Sequence, residues 1–228
     1  DTIQVRGYED LEELLIGEGY MNVNASYSLE NGASYYPYIH YMSDETEECE
    51  KSDFGSSAFN RRDAIFGYYT WQDRCGVDES GSSYADESKD WTKLYYHINV
   101  VNNVIDLIDE YTRGSENDIR EAMRVKGEAY FLRGAYYFTL VNLYGKPYEA
   151  STADADLGVP LKLTGEIQDV IFQRESVAQV YKQIEADLKI AEECLGKANL
   201  PGTIYQADST AVHLLMSRFY LYKQDWEQ

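Results

Sequence analysis

Residues 127–138 read Gly-Glu-Ala-Tyr-Phe-Leu-Arg-Gly-Ala-Tyr-Tyr-Phe, and this stretch decides the fold. It lies within a helical pattern that runs from about Asp118 to Tyr144. Because apolar side chains occur on nearly every side of this helix, other elements must cover it on more than one side. Its small residues, Gly127 and Gly134 among them, let neighbouring helices approach closely. The sequence therefore predicts an all-α protein with this helix at its centre.

The ends of the central helix are marked in the sequence. Asp118 and Glu121 have the spacing of a capping box in the broad sense. Gly145 and Pro147, just beyond the last periodic residue, cannot continue a helix.

A second helix is predicted upstream, over 91–111, with Asp90 as its N-cap. Apolar residues recur along it at alternating spacings of three and four, which places them on one face of a helix. This stripe consists of Trp91, Leu94, Ile98, Val101, Ile105 and Ile108.

Two more helices are predicted downstream. One covers 176–195, where Ser176 and Gln179 have capping-box spacing and the stretch from Gly196 to Gly202 ends the helix. The other covers 209–225 and follows Asp208. Its predicted buried face consists of Val212, Leu215, Phe219, Tyr222 and Trp226.

These four helices form two antiparallel pairs in our prediction, 91–111 with 118–144 and 176–195 with 209–225. Helix pairs with short turns and small residues at the crossings are typical of tetratricopeptide repeats. The strict repeat period is absent, and 145–173 is a long connection, so we expect degenerate repeats with insertions.

We expect a single domain over 1–228. The last helix is still periodic near Gln228, which predicts the amino-terminal part of a longer protein.

The first 90 residues give weaker helical signals. Tyr8 to Ile16 forms a short amphipathic helix in our prediction, and further short helices are expected near 33–41 and 59–69. The rest of 17–90 is rich in Gly, Ser, Asn and Tyr. Loops of this length on a helical scaffold commonly carry function.

Composition narrows the classes of partner. The formal net charge is -20, and 22 tyrosines stand against 7 phenylalanines. So acidic a surface repels phosphate backbones and anionic lipid headgroups. It is compatible with a neutral ligand, with a basic partner, or simply with solubility. Tyrosine has an apolar face and a polar tip, which suits half-wet binding surfaces.

No catalytic or metal-binding motif stands out. The three histidines are scattered, and no zinc-protease motif, nucleophile elbow, Walker loop or dinucleotide fingerprint occurs. The acidic run from Asp44 to Asp53 lacks the spacing of a Ca²⁺ loop, and a solvated acidic loop is the favoured interpretation. Cys49 and Cys75 could form a disulfide, whereas Cys194 lies in a helical apolar pattern as a buried thiol. We therefore predict a protein that is not an enzyme and that uses no cofactor.

Five stretches, in order, resemble the SusD/RagB family of outer-membrane nutrient-binding lipoproteins. They span residues 91–226 and therefore most of the helical part of the chain. At Gly127 and Gly134 the family more often has Ala, and Gly weakens a helix by about 1 kcal/mol relative to Ala. The five stretches are Trp91–Ile105 (WTKLYYHINVVNNVI), Gly127–Pro147 (GEAYFLRGAYYFTLVNLYGKP), Leu157–Leu161 (LGVPL), Arg174–Leu188 (RESVAQVYKQIEADL) and Ala211–Trp226 (AVHLLMSRFYLYKQDW).

The resemblance implies a tetratricopeptide-like scaffold on a lipid-anchored protein of the outer membrane, exposed at the cell surface. Members of this family hand oligosaccharide, or sometimes other nutrients, to a SusC-like TonB-dependent transporter. The lipid-bearing cysteine would precede Asp1. Ligand contacts in the family come from loops, many of them in the carboxyl-terminal half.

Candidate glycan-binding residues lie just before the first long helix. Aromatic faces stack on pyranose rings, while carboxylates and Arg hold sugar hydroxyls. In the alternative interpretation, Tyr69 and Trp71 are core residues of a short helix. A second aromatic cluster, which includes Tyr35, Tyr36, Tyr38 and Tyr41, is better explained by packing beneath the loops. The predicted ligand-binding residues are Tyr69, Trp71, Asp73, Arg74 and Tyr84.

Two other functions compete with glycan capture. A tetratricopeptide scaffold could bind proteins without any carbohydrate ligand, and an enzyme could act on polysaccharide. The aromatic loops before residue 91 favour glycan capture, because a plain scaffold would consist of compact helical repeats throughout.

Overall fold

The computed structural model describes residues 5–21, 41–44, 47, 66–74, 77–82, 89–200 and 203–227. These residues contain no strand, and an isolated antiparallel bridge joins Leu157 and Ser176. The all-α class is therefore confirmed. The α-helices are α1 (Tyr8–Leu14), α2 (Lys89–Ile108), α3 (Glu116–Tyr144), α4 (Val177–Ala198) and α5 (Ser209–Tyr222).

Helix α3 is the centre of the fold, as predicted. Tyr136, Tyr137 and Phe138 are consecutive and all buried. Successive residues of a helix point about 100° apart, so these three side chains can be covered only from more than one side. Helices α1, α2, α4 and α5 all contact α3 and provide that cover.

The two predicted glycines mark where α4 crosses α3. A Cβ atom on Gly127 would lie 2.6 Å from Cγ of Leu195, and one on Gly134 would lie 3.2 Å from Cδ2 of Leu188. The predicted close approach of helices is therefore confirmed. This crossing joins α3, from the first predicted pair, to α4, from the second, so the two pairs pack against each other. Tetratricopeptide repetition as such stays a prediction.

The starts of α2 and α3 differ from the predicted ones. Helix α3 begins two residues earlier, and its capping box is formed by Ser115 and Asp118 rather than by Asp118 and Glu121. The Ser115 hydroxyl accepts from the Asp118 amide, and the Asp118 carboxylate accepts from the Ser115 amide, at 3.2 and 3.1 Å. Helix α2 begins at Lys89, so Asp90 lies inside the first turn and is not the N-cap.

The predicted N-cap of α4 is confirmed, α5 begins after Asp208 as predicted, and the last residues of both helices differ from the predicted ones. Ser176 accepts from the Gln179 amide and Asp208 from the Ala211 amide. Helix α4 continues through Gly196 to Ala198, inside the stretch from Gly196 to Gly202 that was predicted to end it, and its C-cap Asn199 has a left-handed backbone (φ 45°). Arg120 binds the carbonyl oxygens of Ala198 and Asn199, which stabilises this later end.

Helix α5 ends earlier than predicted. Its last residue is Tyr222, and Gln224 adopts a left-handed backbone with φ 60°. Trp226 therefore leaves the helical register and is 75% exposed rather than part of the buried face.

The predicted opening helix is confirmed as α1. Leu11 and Leu15 anchor it in the core, and a π-helical turn continues it over Leu15–Gly19. The predicted helix at 33–41 lies almost wholly outside the described residues, whereas the end of the one predicted at 59–69 forms a helical turn over 66–69.

Two further sequence predictions concern cysteines and membrane spans. Cys194 is a buried free thiol, as predicted, while Cys49 and Cys75 lie outside the described residues. Among the described helices, none is both long enough and apolar enough to cross a membrane.

Candidate functional site

The predicted site begins with a helical turn whose end is closed by Trp71. The Trp71 amide donates to the Tyr68 carbonyl at 3.1 Å, and the Gln72 amide donates to the Gly67 carbonyl at 2.9 Å. This pair of bonds is the Schellman pattern of a helix end, in which the residue at the Trp71 position is left-handed and usually Gly. Trp71 does adopt that conformation, with φ 56°.

A tryptophan at this position is unfavourable for the fold. Left-handed backbone costs a residue with a Cβ atom about 1–2 kcal/mol. Burial of the indole does not offset this cost, because the side chain is 67% exposed. A strained residue whose large aromatic face points to solvent is the kind of feature found at binding sites.

The residues around Trp71 divide into a buried and an exposed group. Tyr68 is only 5% exposed and anchors the turn in the core, and Tyr69 is half-buried. Residues 70–74 are exposed, including Asp73 and Arg74. The core-packing alternative therefore fits Tyr68 and in part Tyr69, but not Trp71.

Four of the five predicted site residues thus lie in one short stretch, 69–74. The fifth, Tyr84, lies outside the described residues. The structure brings Tyr69, Trp71, Asp73 and Arg74 to one exposed turn, and their role as ligand contacts stays a prediction.

A second tight turn follows in the same segment. One carboxylate oxygen of Asp78 accepts from the Ser80 hydroxyl, the Ser80 amide and the Ser82 amide, at 2.6, 2.9 and 3.0 Å. The Ser80 hydroxyl, together with these amides, lowers the pKa of the Asp78 carboxyl. Gly81 allows the turn through its left-handed backbone. The segment therefore carries a fixed negative charge close in sequence to Trp71.

The residues that carry the sequence resemblance meet in a different place, inside the fold. Arg133 on α3 and Asp187 on α4 form a two-pronged ion pair, with Nε–Oδ2 and Nη2–Oδ1 distances of 2.9 and 2.7 Å. Arg133 also donates to Oδ1 of Asn102 on α2, and Gln183 donates to Asp187. The motifs therefore build a polar core that joins three helices.

The same core fixes the long connection between α3 and α4. The Asn102 amide donates to the carbonyls of Lys162 and Thr164 at 2.8 and 3.3 Å. The Tyr137 hydroxyl donates to the Lys162 carbonyl at 2.7 Å and accepts from the Lys162 amide at 2.8 Å. The segment that begins with Gly158-Val159-Pro160-Leu161 is thus bound to α2 and α3.

We did not predict this polar core from the sequence. Arg133 stands alone among apolar residues in the middle of the central helix, and Asp187 lies between Ile184 and Leu188 on the buried face of α4. A single charge on an apolar face needs a buried partner of opposite sign. That rule was a usable signal for the pair.

A second polar cluster ties α1 to the core. Arg124 donates to Glu12, Glu121 and Glu128 at 2.6, 2.9 and 2.6 Å. Tyr20 donates to Glu128 at 2.7 Å and accepts from the Ala207 amide at 2.9 Å. Burial, followed by the nearby Glu128 carboxylate, raises the pKa of the Tyr20 hydroxyl far above its ordinary value. This cluster stabilises the contact between α1 and α3, and the side chains of Arg124 and Glu128 are largely withdrawn from solvent.

In the part of the chain that the structure describes, no group of three or more His, Cys, Asp or Glu side chains is placed to hold a metal ion. The exposed turn around Trp71, which presents an indole beside a carboxylate and a guanidinium, is the candidate site.

Comparison with known families gives one broad match. The SusD-like family model, described as "Starch-binding associating with outer membrane", matches residues 29–221. No curated protein matches the chain.

Several solved structures share the fold. A SusD superfamily protein from Bacteroides thetaiotaomicron is 24% identical, with a TM-score of 0.66, over 97% of this chain and 44% of its own. A putative sugar binding protein from Bacteroides vulgatus is 22% identical, with a TM-score of 0.69, over 98% and 44%. Surface glycan-binding protein A from Bacteroides uniformis is 17% identical, with a TM-score of 0.58, over 96% and 42%. The chain thus spans less than half the length of these structures.

Proposed function

Because the chain belongs to the SusD-like family, we propose that it binds glycan at the cell surface and supports uptake by a SusC-like TonB-dependent transporter. The family description names starch binding, and one relative of the same fold is a surface glycan-binding protein. In this proposal the chain is not an enzyme. It works at the outer membrane, where a lipid anchor ahead of Asp1 holds it.

The observation that carries the proposal is the exposed indole of Trp71 on a strained backbone. An indole offers a flat apolar face that can stack on a pyranose ring. The hydrogen bonds of the Schellman pattern fix the turn before any ligand arrives, so little conformational entropy is lost on binding.

The other site residues have complementary roles in this proposal. Tyr69 extends the aromatic surface, while Asp73 and Arg74 hydrogen-bond to sugar hydroxyls. Tyr84 contributes a further aromatic face from the loop that precedes α2. Every sugar ring has one apolar face and a rim of hydroxyls, and this mixture of side chains matches both.

The charge of the protein favours a neutral glycan. Between residues 66 and 82 the acidic residues are Asp73, Asp78 and Glu79, and the basic one is Arg74. With a net charge of -20 over the whole chain, uronate or sulfate groups on a glycan would be repelled.

Affinity electrophoresis of the full-length protein tests the proposal. Native gels would contain a panel of neutral and anionic polysaccharides, and bovine serum albumin would serve as the non-binding reference. We expect retardation on at least one neutral polysaccharide. Migration like that of albumin on every gel would refute glycan capture and favour the scaffold alternative, whereas release of reducing sugar would favour an enzyme.

A further inference from the structure

Two side chains that flank Trp71 are hydrogen-bonded to each other across it. The Gln72 side-chain amide donates to the Thr70 hydroxyl at 3.2 Å, and that hydroxyl donates to the Phe66 carbonyl at 2.6 Å. The Gln72 amide also reaches the Thr70 carbonyl, at 3.5 Å. We call this chain of hydrogen bonds, from Gln72 through Thr70 to Phe66, the side-chain link. It connects both neighbours of the strained residue to the body of the helical turn.

The side-chain link adds to the backbone bonds that close the turn. The Thr70 amide donates to the Phe66 carbonyl at 2.9 Å, so this carbonyl accepts from both the amide and the hydroxyl of Thr70. A hydroxyl that accepts one hydrogen bond donates the next one more strongly, and the members of such a chain therefore support one another.

Trp71 differs from the other left-handed residues of the protein. Among the described residues other than glycine, positive φ occurs at Trp71, Asn199 and Gln224. Just after α5, Gln224 occupies the left-handed position of the same pair of backbone bonds, at 3.1 and 2.9 Å. There the exposed indole belongs to Trp226, two residues further along the chain. At Trp71 the strained residue itself carries the large aromatic side chain.

The strain at Trp71 makes the direction of its indole dependent on local restraints. A left-handed backbone is unfavourable for a residue with a Cβ atom and persists only where the surroundings hold it. In another backbone conformation the Cα–Cβ bond points elsewhere, and the indole turns with it. Because this side chain is largely exposed, core packing supplies little of the restraint. Hydrogen bonds on both sides of the residue must therefore supply the rest.

We propose that Thr70 and Gln72 are positioning residues of the glycan site, and that their side-chain link holds Trp71 in its left-handed conformation so that the indole is aligned before the sugar binds. This inference rests on the proposed function. It assigns neither side chain a contact with the glycan. A site that is fixed before binding loses less conformational entropy when the ligand arrives. Loss of the side-chain link should therefore weaken binding even though the stacking face is still present.

Two substitutions break the side-chain link, and a third preserves it. Thr70→Val replaces the hydroxyl by a methyl group of similar shape, while Gln72→Met removes the amide and keeps a side chain of similar length. Thr70→Ser retains the hydroxyl. The matched control is Thr203→Val, which removes another exposed hydroxyl, one that donates to the Gln206 side chain at 3.0 Å.

Affinity electrophoresis of the full-length variants measures binding, on the polysaccharide that retards wild type and over a range of its concentrations. We expect the dissociation constants of Thr70→Val and Gln72→Met to rise about threefold or more, because one hydrogen bond corresponds to a factor of about 2 to 12 in an equilibrium constant. Thr70→Ser and Thr203→Val should bind like wild type. All four variants should keep a urea midpoint close to that of wild type, as surface substitutions usually do.

Hydrogen exchange of the glycan-free protein measures the restraint itself. The Trp71 and Gln72 amides donate the two backbone bonds that close the turn. Both amides should exchange about threefold or more faster in Thr70→Val and Gln72→Met, because the turn opens more often without the side-chain link. In Thr70→Ser and Thr203→Val they should exchange as in wild type.

The outcomes separate this inference from the proposed function. Wild-type affinity in both Thr70→Val and Gln72→Met overturns the inference and leaves glycan capture intact. Weaker binding with an unchanged exchange rate at Trp71 also overturns it, because Thr70 and Gln72 would then act by contacting the glycan. So does exchange of the wild-type amides at the rate of an unprotected chain, since the turn would not be held. Failure of the wild type to bind any polysaccharide refutes the proposed function, and the inference with it.

Discussion

The guanidinium of Arg133 on α3 donates to both carboxylate oxygens of Asp187 on α4, at 2.7 and 2.9 Å, and both side chains are almost wholly withdrawn from solvent. Asn102 on α2 and the carbonyl of Leu163 accept from the same guanidinium. One ion pair therefore joins the three longest helices to the connection between α3 and α4.

Removing one member of this pair should strongly destabilise the protein. Asp187→Asn leaves the Arg133 charge buried without a counter-charge, and such losses cost about 3–5 kcal/mol. We expect the urea midpoint to fall accordingly, while Arg133→Met/Asp187→Leu recovers a large part of the loss because no buried charge remains. Glu193→Gln, which breaks an exposed pair with Lys197, is the control and should leave the midpoint unchanged. Equal midpoints for Asp187→Asn and this control would contradict the prediction.

The two glycines of α3 should respond differently to alanine. A Cβ atom on Gly127 meets Cγ and the backbone amide of Leu195 at 2.6 and 3.1 Å, so α4 would have to move. We expect Gly127→Ala to destabilise by about 1–3 kcal/mol, the usual cost of overpacking. At Gly134 the nearest atoms belong to the Leu188 side chain, at 3.2 and 3.3 Å. There the gain of about 1 kcal/mol in helix propensity should offset the contact, so Gly134→Ala should be close to neutral.

Urea unfolding of both alanine variants measures this difference. A midpoint for Gly127→Ala at or above that of Gly134→Ala would show that the crossing at Leu195 is less tight than the structure indicates.

Periodicity predicted the helices well because their apolar faces carry the packing energy. The stripe on α2 and the nearly all-apolar centre of α3 are properties of the sequence alone, and most of both is buried, with Trp91 and Ile105 of the stripe partly buried. The ends were harder to predict, because they depend on contacts made elsewhere. Helix α4 runs past Gly196 to an end that Arg120 of α3 stabilises. Asn199, a residue type that suits a left-handed helix end, was a local signal for this end.

The residue types of the candidate site could be predicted from the sequence, but its backbone geometry could not. Aromatic and polar residue types in 69–74 indicated sugar binding, yet the left-handed backbone of Trp71 could not be foreseen. Sequence rules assign Gly, and sometimes Asn, to that position of a helix end. For the polar core, the apolar surroundings of Arg133 and Asp187 indicated that each charge needs a buried partner, but the sequence does not show which distant residue that partner is.

His97 should make the stability of the fold depend on pH. Its Nδ1–H donates to the Glu18 carbonyl at 2.9 Å, while its Nε2 is buried and has no partner among the described residues. Burial, with a smaller contribution from Lys93, lowers the pKa of His97 below its ordinary value of 6.5, although Glu18 acts in the opposite direction. The unfolded chain therefore takes up this proton at a higher pH than the folded chain does. The stabilisation is complete above pH 6.5 and declines as the pH falls through the lowered pKa.

The measurement is the free energy of urea unfolding across a pH series, for wild type and for His97→Asn, which keeps an N–H donor but cannot be protonated. Below pH 6.5 the free energy of unfolding of the wild type should fall relative to that of His97→Asn. The control is His213→Asn, at an exposed histidine. Parallel curves for wild type and His97→Asn would contradict the prediction. Comparison with the variant is essential, because acid also relieves the repulsion among the many carboxylates.

Trp71 should be dispensable for folding and necessary for glycan binding. Trp71→Gly removes a mostly exposed side chain and places at the left-handed position the residue that suits it best. Relief of backbone strain and the greater entropy of unfolded Gly offset each other, so we expect an unfolding free energy within about 1 kcal/mol of wild type. The full-length variant should nevertheless lose its retardation on the polysaccharide that retards wild type, because the stacking face is gone. Trp226→Ala removes a similarly exposed tryptophan far along the chain and should migrate like wild type. A Trp71→Gly protein that binds normally would assign glycan capture to another part of the molecule, whereas a variant that unfolds would make the strained turn a structural element.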